Sequence, residues 1–314
     1  MADDGITLRA HDDHIEIVGP DSALDPFGPL IAQAQAQANR DTLPPIAAMR
    51  AGAIAFGAGP LARSCVAPVD REAVIVAGQP SAWFRPVRTA TSATILYFHG
   101  GGYAVGSVDA QAGMAAAVAD AMGAPLLAFG YRQAPEHPYP QAIEDAWAAY
   151  RWLREAVGGP ILLVGDSAGA HLSLATAARA ARTDMPAIGA IACSGWFDLE
   201  MRAPSWETNR RRDIVSREMG EMFIRHYLGD RASVPAGAML DDADIALLPS
   251  VLIQIGGGEM ALDDSFDIAA RARRLGRDVT LEVYAGMPHN FVKFAGPMGD
   301  AAVARMAAWA ARFS

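Results

Sequence analysis

Ile161-Leu162-Leu163-Val164-Gly165-Asp166-Ser167-Ala168-Gly169-Ala170-His171-Leu172 is an apolar strand-like run that passes through Gly-x-Ser-x-Gly into a helical pattern. The turn between the two is tight. Gly165 and Gly169 flank Ser167 at two residues on each side, where larger side chains would collide as strand and helix close on one another. Ser167 is then held with its hydroxyl exposed, and the helix N-terminus offers backbone donors where negative charge would develop. With a strand before and a helix after, this context marks Ser167 as a candidate nucleophile. Without that context, Gly-x-Ser-x-Gly would describe an ordinary glycine-rich turn carrying a surface serine.

Working outward, the strand-like run Thr94–Phe98 leads into His99-Gly100-Gly101-Gly102-Tyr103. Three consecutive glycines leave their N–H groups approachable, so the loop can put two donors around an oxyanion. No Lys-Ser/Thr pair follows, which excludes a P-loop, and no G-x-G-x-x-G with an acidic partner completes a dinucleotide site. Downstream, the run Thr280–Tyr284 is followed by Gly286-Met287-Pro288-His289-Asn290-Phe291, where His289 is the candidate general base. Between these lies Gly256-Gly257-Gly258-Glu259-Met260-Ala261-Leu262-Asp263-Asp264-Ser265, after the run Val251–Ile255. An acid is expected here from the chain order Ser, Asp/Glu, His. Glu259 is nearest the strand end, while Asp263 and Asp264 compete with it, one of them as the cap of the following helix. His99 is read as ordering the glycine loop and His171 as pointing away from Ser167. No spacing among the seven histidines suggests a zinc site.

Short apolar runs at 94–98, 126–131, 161–164, 188–193, 251–255 and 279–284 alternate with helical patterns, and 73–76 with 83–87 resembles a hairpin that Pro86 would end or push to an edge. Continuous rather than alternating apolar runs belong to strands covered on both faces, so the pattern predicts an α/β fold with a mostly parallel sheet. Residues 1–24 carry little signal, and 25–57 predict two short amphipathic helices without a sheet of their own, suited to a lid. Segment 196–240 interrupts the rhythm with a helix at about 215–228. It is read as an insertion over the active end of the sheet, against the alternative of a peripheral excursion. In it, Trp206, Met219, Met222 and Phe223 either line a pocket or bury the lid on the body.

The chain has 314 residues, 52% of them hydrophobic, enough for a sizeable core. Its formal net charge of −9 argues against nucleic acid as a partner. The single lysine, Lys293, is read as coding bias. Two cysteines, Cys65 and Cys193, are too few for a disulfide framework, and Cys193 is expected as a buried thiol. The polar start and the lack of an 18-residue apolar run predict neither a signal peptide nor a membrane span, and hence a cytoplasmic protein.

Together, the His99–Tyr103, Tyr131–Pro140 and Gly165–Gly169 motifs resemble the hormone-sensitive-lipase-like branch of the α/β-hydrolases, the bacterial family IV esterases, with Gln133 where leucine is usual. The resemblance implies an eight-stranded, mostly parallel sheet with helices on both faces and a helical cap in two parts. These would be an N-terminal cap segment, 1–57, and a second, 197–235, inserted into a catalytic domain spanning 58–314. It implies Ser167 as nucleophile, His289 as base and Glu259 as acid, with Gly258 where an aspartate usually precedes the acid. Gly101, Gly102 and Ala168 are the implied oxyanion donors. The expected activity is hydrolysis of short- to medium-chain carboxylic esters through an acyl-enzyme, with a small-molecule ester as partner and neither metal nor organic cofactor. The resemblance also implies a homodimer through the last strand and adjacent helices, here involving about 279–285. A lactone hydrolase or amidase would use the same residues, whereas a non-catalytic binding protein on this fold would typically lose the base or the nucleophile. A dehalogenase or epoxide hydrolase would need a carboxylate at position 167.

Overall fold

The computed structural model describes residues 6–38, 43–63 and 69–313, so Cys65 lies outside the described residues. One ten-stranded sheet runs through the molecule in the order β1-β2-β10-β9-β8-β7-β5-β6-β4-β3. The strands are β1 (Thr7–Ala10), β2 (Ile15–Val18), β3 (Val69–Val76), β4 (Gln79–Pro86), β5 (Thr94–Phe98), β6 (Leu126–Phe129), β7 (Ile161–Asp166), β8 (Gly189–Cys193), β9 (Val251–Gly256) and β10 (Val279–Tyr284). From β2 to β6 in that order every neighbouring pair is parallel, while β1, β4 and β3 add antiparallel pairs at the two ends.

The continuous apolar runs have the meaning expected of them. Along β7, Ile161 and Leu163 join the core on one face, Leu162 and Val164 the core on the other. Helices α3 (Ala112–Met122) and α10 (Pro297–Ala310) cover one face, with Met114, Val118, Ala302 and Met306 buried there. Helices α4 (Gln141–Val157), α5 (Ala168–Ala180) and α9 (Leu262–Arg274) cover the other, burying Tyr150, Leu153, Leu172 and Ile268. Two N-terminal helices, α1 (Gly28–Ala38) and α2 (Ile46–Gly57), lie outside these layers, and an insertion between β8 and β9 carries the short α6 (Ser205–Thr208), α7 (Arg217–Leu228) and the short α8 (Asp242–Ile245). Cys193 is buried in β8, where burial holds its thiol well above the ordinary range.

All eight strands expected from the resemblance are present as β3–β10. Pro86 ends β4 rather than placing it at an edge, since β4 pairs with both β3 and β6. One expectation needs correction. Residues 7–18, assigned to a cap segment without a sheet of its own, form the β1–β2 hairpin, and β2 pairs in parallel with β10 through Ile15↔Glu282 to Ile17↔Tyr284. That pairing covers the edge of β10, so 279–285 is an interior strand and does not offer the free edge that strand-to-strand dimerisation would use. The physical reason is Ile17, which is fully buried against the α10 face and anchors an otherwise polar hairpin.

Removing the chain before Gly19 should therefore expose the β10 edge and forfeit the burial of Ile17, roughly 1.5–3 kcal/mol. A lower melting temperature and an earlier-eluting species in size-exclusion chromatography are expected. An unchanged melting temperature would show that the hairpin contributes nothing.

Candidate active site

Parallel strands deliver their C-terminal ends to one side of the sheet, and the five loops that leave β5, β7, β8, β9 and β10 there converge. At the end of β7 the chain turns sharply into α5, and the two flanking glycines are required by contact. A Cβ at Gly165 would lie 2.1 Å from the carbonyl oxygen of Gly169, and one at Gly169 would lie 2.0 Å from that of Phe98 in β5. Between them Ser167 adopts φ 54°, ψ −121°, a sparsely populated conformation for a side-chain-bearing residue. Its N–H is fixed to the Cys193 carbonyl at 2.8 Å.

Ser167 Oγ lies 2.9 Å from His289 Nε2, and His289 Nδ1 lies 2.8 Å from Glu259 Oε2. A carboxylate only accepts, so Nδ1 carries the proton and Nε2 is free to accept from the hydroxyl. Glu259 is fully buried; its Oε1 accepts from Ser194 Oγ at 2.6 Å and from the Gly256 N–H at 2.7 Å. The Ser194 hydroxyl in turn accepts from the Asn290 N–H at 3.0 Å, tying the acid loop to the histidine loop. Burial alone would lower the His289 pKa; the Glu259 hydrogen bond and charge, with the Asp213 charge, outweigh it and raise the imidazole above its ordinary value, against an opposing pull from Lys293.

Asp263 and Asp264 lie away from this chain of contacts. Neither caps α9: the cap position is Ala261, and both aspartates sit in the first helical turn. Their carboxylates turn to the insertion, Asp263 accepting from the Ser205 N–H at 2.9 Å and Asp264 from the Asp198 N–H at 3.1 Å and Trp206 Nε1 at 3.2 Å.

The N–H groups of Gly101 and Gly102 donate to no other group among the described residues, and that of Ala168 opens α5, where no intrahelical acceptor is available. His99 Nδ1 bonds the Gly100 carbonyl at 2.8 Å, holding the glycine loop as expected. Asp166 does more than its place in the motif suggests. Its carboxylate accepts from Tyr97 Oη at 2.5 Å and from the Gly100 N–H at 3.1 Å, and faces Lys293 Nζ at 2.7 Å. The lone lysine, read as coding bias, is thus a half-buried ionic partner of the carboxylate that holds the glycine loop. Ser194, Asp213 and Lys293 are the site residues that sequence reasoning missed.

A sequence profile of the family described as alpha/beta hydrolase fold matches residues 95–293, which includes all of these loops. The chain is an α/β-hydrolase. An acetyl-hydrolase of Streptomyces hygroscopicus is 39% identical to it over 223 residues, covering 69% of this chain and 74% of that one. The crystal structure of EstE5 soaked with ethyl alcohol superposes with a TM-score of 0.84 at 31% identity, covering 93% of this chain and 98% of that one. A hormone-sensitive lipase from a metagenome library superposes with a TM-score of 0.85 at 28% identity over the same shares. Within the α/β-hydrolases the chain groups with the bacterial hormone-sensitive-lipase-like esterases, and it is a carboxylic ester hydrolase of the serine-esterase type.

In this hydrolase a cavity of about 370 Å³ opens onto Ser167 and His289. Leu30, Met49 and Phe56 line it from the N-terminal helices, and Trp206, Met219 and Phe223 from the insertion. Met222, the fourth candidate, packs in the core instead. Phe223 also explains Gly102, where a Cβ would lie 2.4 Å from its ring. No helix among the described residues is long and apolar enough to cross a membrane, and no group of three or more His, Cys, Asp and Glu side chains among them converges as a metal site requires.

Two buried histidines each add an acid-sensitive contribution to stability. Burial lowers His99 and His171 from 6.5 to about 4. Between these values the unfolded chain binds more protons at these two residues than the folded one, so their contribution is lost as pH falls. Burial raises the Asp264 carboxyl to about 7 and acts in the opposite direction, so the readout is a difference: the stability of wild type relative to His171→Gln, from urea unfolding, should fall as pH drops from 6.5 toward 4. An equal slope in the variant would remove His171 from the explanation.

Proposed function

We propose that the enzyme hydrolyses short- to medium-chain carboxylic esters through an acyl-enzyme on Ser167. The observation that carries this reading is the unbroken chain Ser167 Oγ, His289, Glu259 at 2.9 and 2.8 Å beside the unpartnered N–H groups of the glycine loop. His289 Nε2 takes the Ser167 proton as the hydroxyl attacks the ester carbonyl. The oxyanion of the tetrahedral intermediate is met by the N–H groups of Gly101, Gly102 and Ala168. The intermediate collapses as the imidazolium gives its proton to the leaving alcohol. A water, deprotonated by the same nitrogen, then attacks the acyl carbonyl and releases the acid. Glu259 holds the imidazole in the required tautomer and stabilises its cation.

The preference for modest acyl chains rests on the limited cavity volume, about 370 Å³, and on the likeness to an acetyl-hydrolase. We further assign a two-part cap to the helical residues of segment 1–57 and to 197–235, since both supply apolar walls to the cavity. Such a roof covers a small ester; it offers no broad apolar shelf to an oil–water interface.

An organophosphonate should add one adduct to the intact protein and none to Ser167→Ala; labelling elsewhere would refute the nucleophile. Glu259→Gln should lower kcat by about 10²- to 10⁴-fold, whereas Asp263→Asn and Asp264→Asn should retain most turnover. The reverse pattern would reassign the acid. The neutral imidazole is the active form, so activity should fall as pH drops through the raised His289 pKa, and the acid limb of kcat/KM should lie above 6.5. Rates on p-nitrophenyl esters should decline beyond medium chains; a steady rise toward long-chain triglyceride would contradict the cavity argument.

A further inference from the structure

Asp213 lies in the insertion between α6 and α7, is 1% exposed, and lines the cavity. No cation pairs with it among the described residues. Its carboxylate is instead held by three backbone donors. Oδ1 accepts from the His289 N–H at 2.7 Å and from the Ile214 N–H at 2.7 Å, while Oδ2 accepts from the Met260 N–H at 2.8 Å. Met260 follows Glu259 directly. One side chain of the insertion therefore grips both loops that present the partners of Ser167.

The chemistry demands an acceptor on both oxygens. An asparagine would satisfy one side and turn its NH₂ against a backbone N–H on the other. A buried anion at this place also acts on the imidazole. The charged groups that bear on His289 are Glu259 from the β9 loop, Asp213 from the insertion and Lys293 from the turn before α10; the first two favour the imidazolium and the third opposes it.

We propose that Asp213 is a positioning residue for ester hydrolysis, through which the insertion sets both the placement of the Glu259–His289 pair and the basicity of His289. The proposal rests on the assignment of Ser167, His289 and Glu259 given above. It makes the insertion a working part of the catalytic apparatus: a displacement of this segment withdraws an anion and two loop anchors together.

The test compares wild type with Asp213→Asn and Asp213→Ser on p-nitrophenyl acetate, with folding checked by melting temperature. Serine removes the charge but leaves room for a water to meet the N–H groups, so it reports even if the asparagine variant does not fold. In the folded variants kcat should fall by about 10- to 100-fold, with KM changed by less than about threefold. The acid limb of kcat/KM should move to lower pH, because loss of the anion lowers the His289 pKa. Wild-type kcat, or a loss of kcat with an unmoved acid limb, would overturn the proposal and leave Asp213 a structural residue. Retained turnover in Ser167→Ala would overturn the underlying assignment instead, and the two failures are told apart by which variant stays active.

Discussion

Backbone contact among three elements constrains everything around the nucleophile. β5, β7 and α5 meet so closely at Gly165 and Gly169 that neither position has room for a single carbon. The cost is borne at Ser167, whose backbone is forced into a conformation that a side-chain-bearing residue rarely takes. What results is a hydroxyl lifted from the sheet edge toward the ends of four other strands. The sheet's parallel order then does the assembly, because each neighbouring strand contributes a loop to the same side.

The loops are not left to their own stiffness. Glu259 is bound by Ser194, Gly256 and His289, so the acid is defined by elements on three strands. The glycine loop is held from below by Asp166 and from above by the helices. Arg50 of α2 donates to the Ala104 carbonyl at 2.8 Å and to that of Ala134 at 2.9 Å, while pairing with Glu136. Tyr227 of α7 stacks on Tyr103 with ring centroids 3.8 Å apart. The two helical segments over the cavity thus clamp the same loop from different sides, and the site is preorganised by covering elements as much as by the sheet.

What could be read from the sequence was local or periodic. The elbow, the glycine loop and the eight strands β3–β10 follow from runs of a few residues whose chemistry allows little else. The β1–β2 hairpin escaped because its strands are four residues each, β1 is wholly exposed, and one buried isoleucine is too little periodicity to detect. Asp213 and Ser194 escaped because their partners lie 76 and 65 positions away. Asp263 and Asp264 misled for the opposite reason: their spacing suits a helix cap, but N–H donors in the insertion compete for both carboxylates. Compositional reasoning failed at Lys293, since one residue among 314 carries no statistical signal whatever it does.

That scarcity has a practical side. With a single lysine in the chain, an amine-directed reagent meets only one side-chain amine, and Asp166, which also holds the glycine loop, keeps it mostly shielded. Reductive methylation of Lys293 is consequently a chemical gauge of this one place in the molecule. Slow modification signals an intact ion pair and a seated loop; fast modification signals that the loop has lifted. A reagent pair as blunt as formaldehyde and a borohydride, which spares the serine, thereby gains the resolution of a site-specific probe once the α-amino group is counted apart, with no residue introduced to provide it.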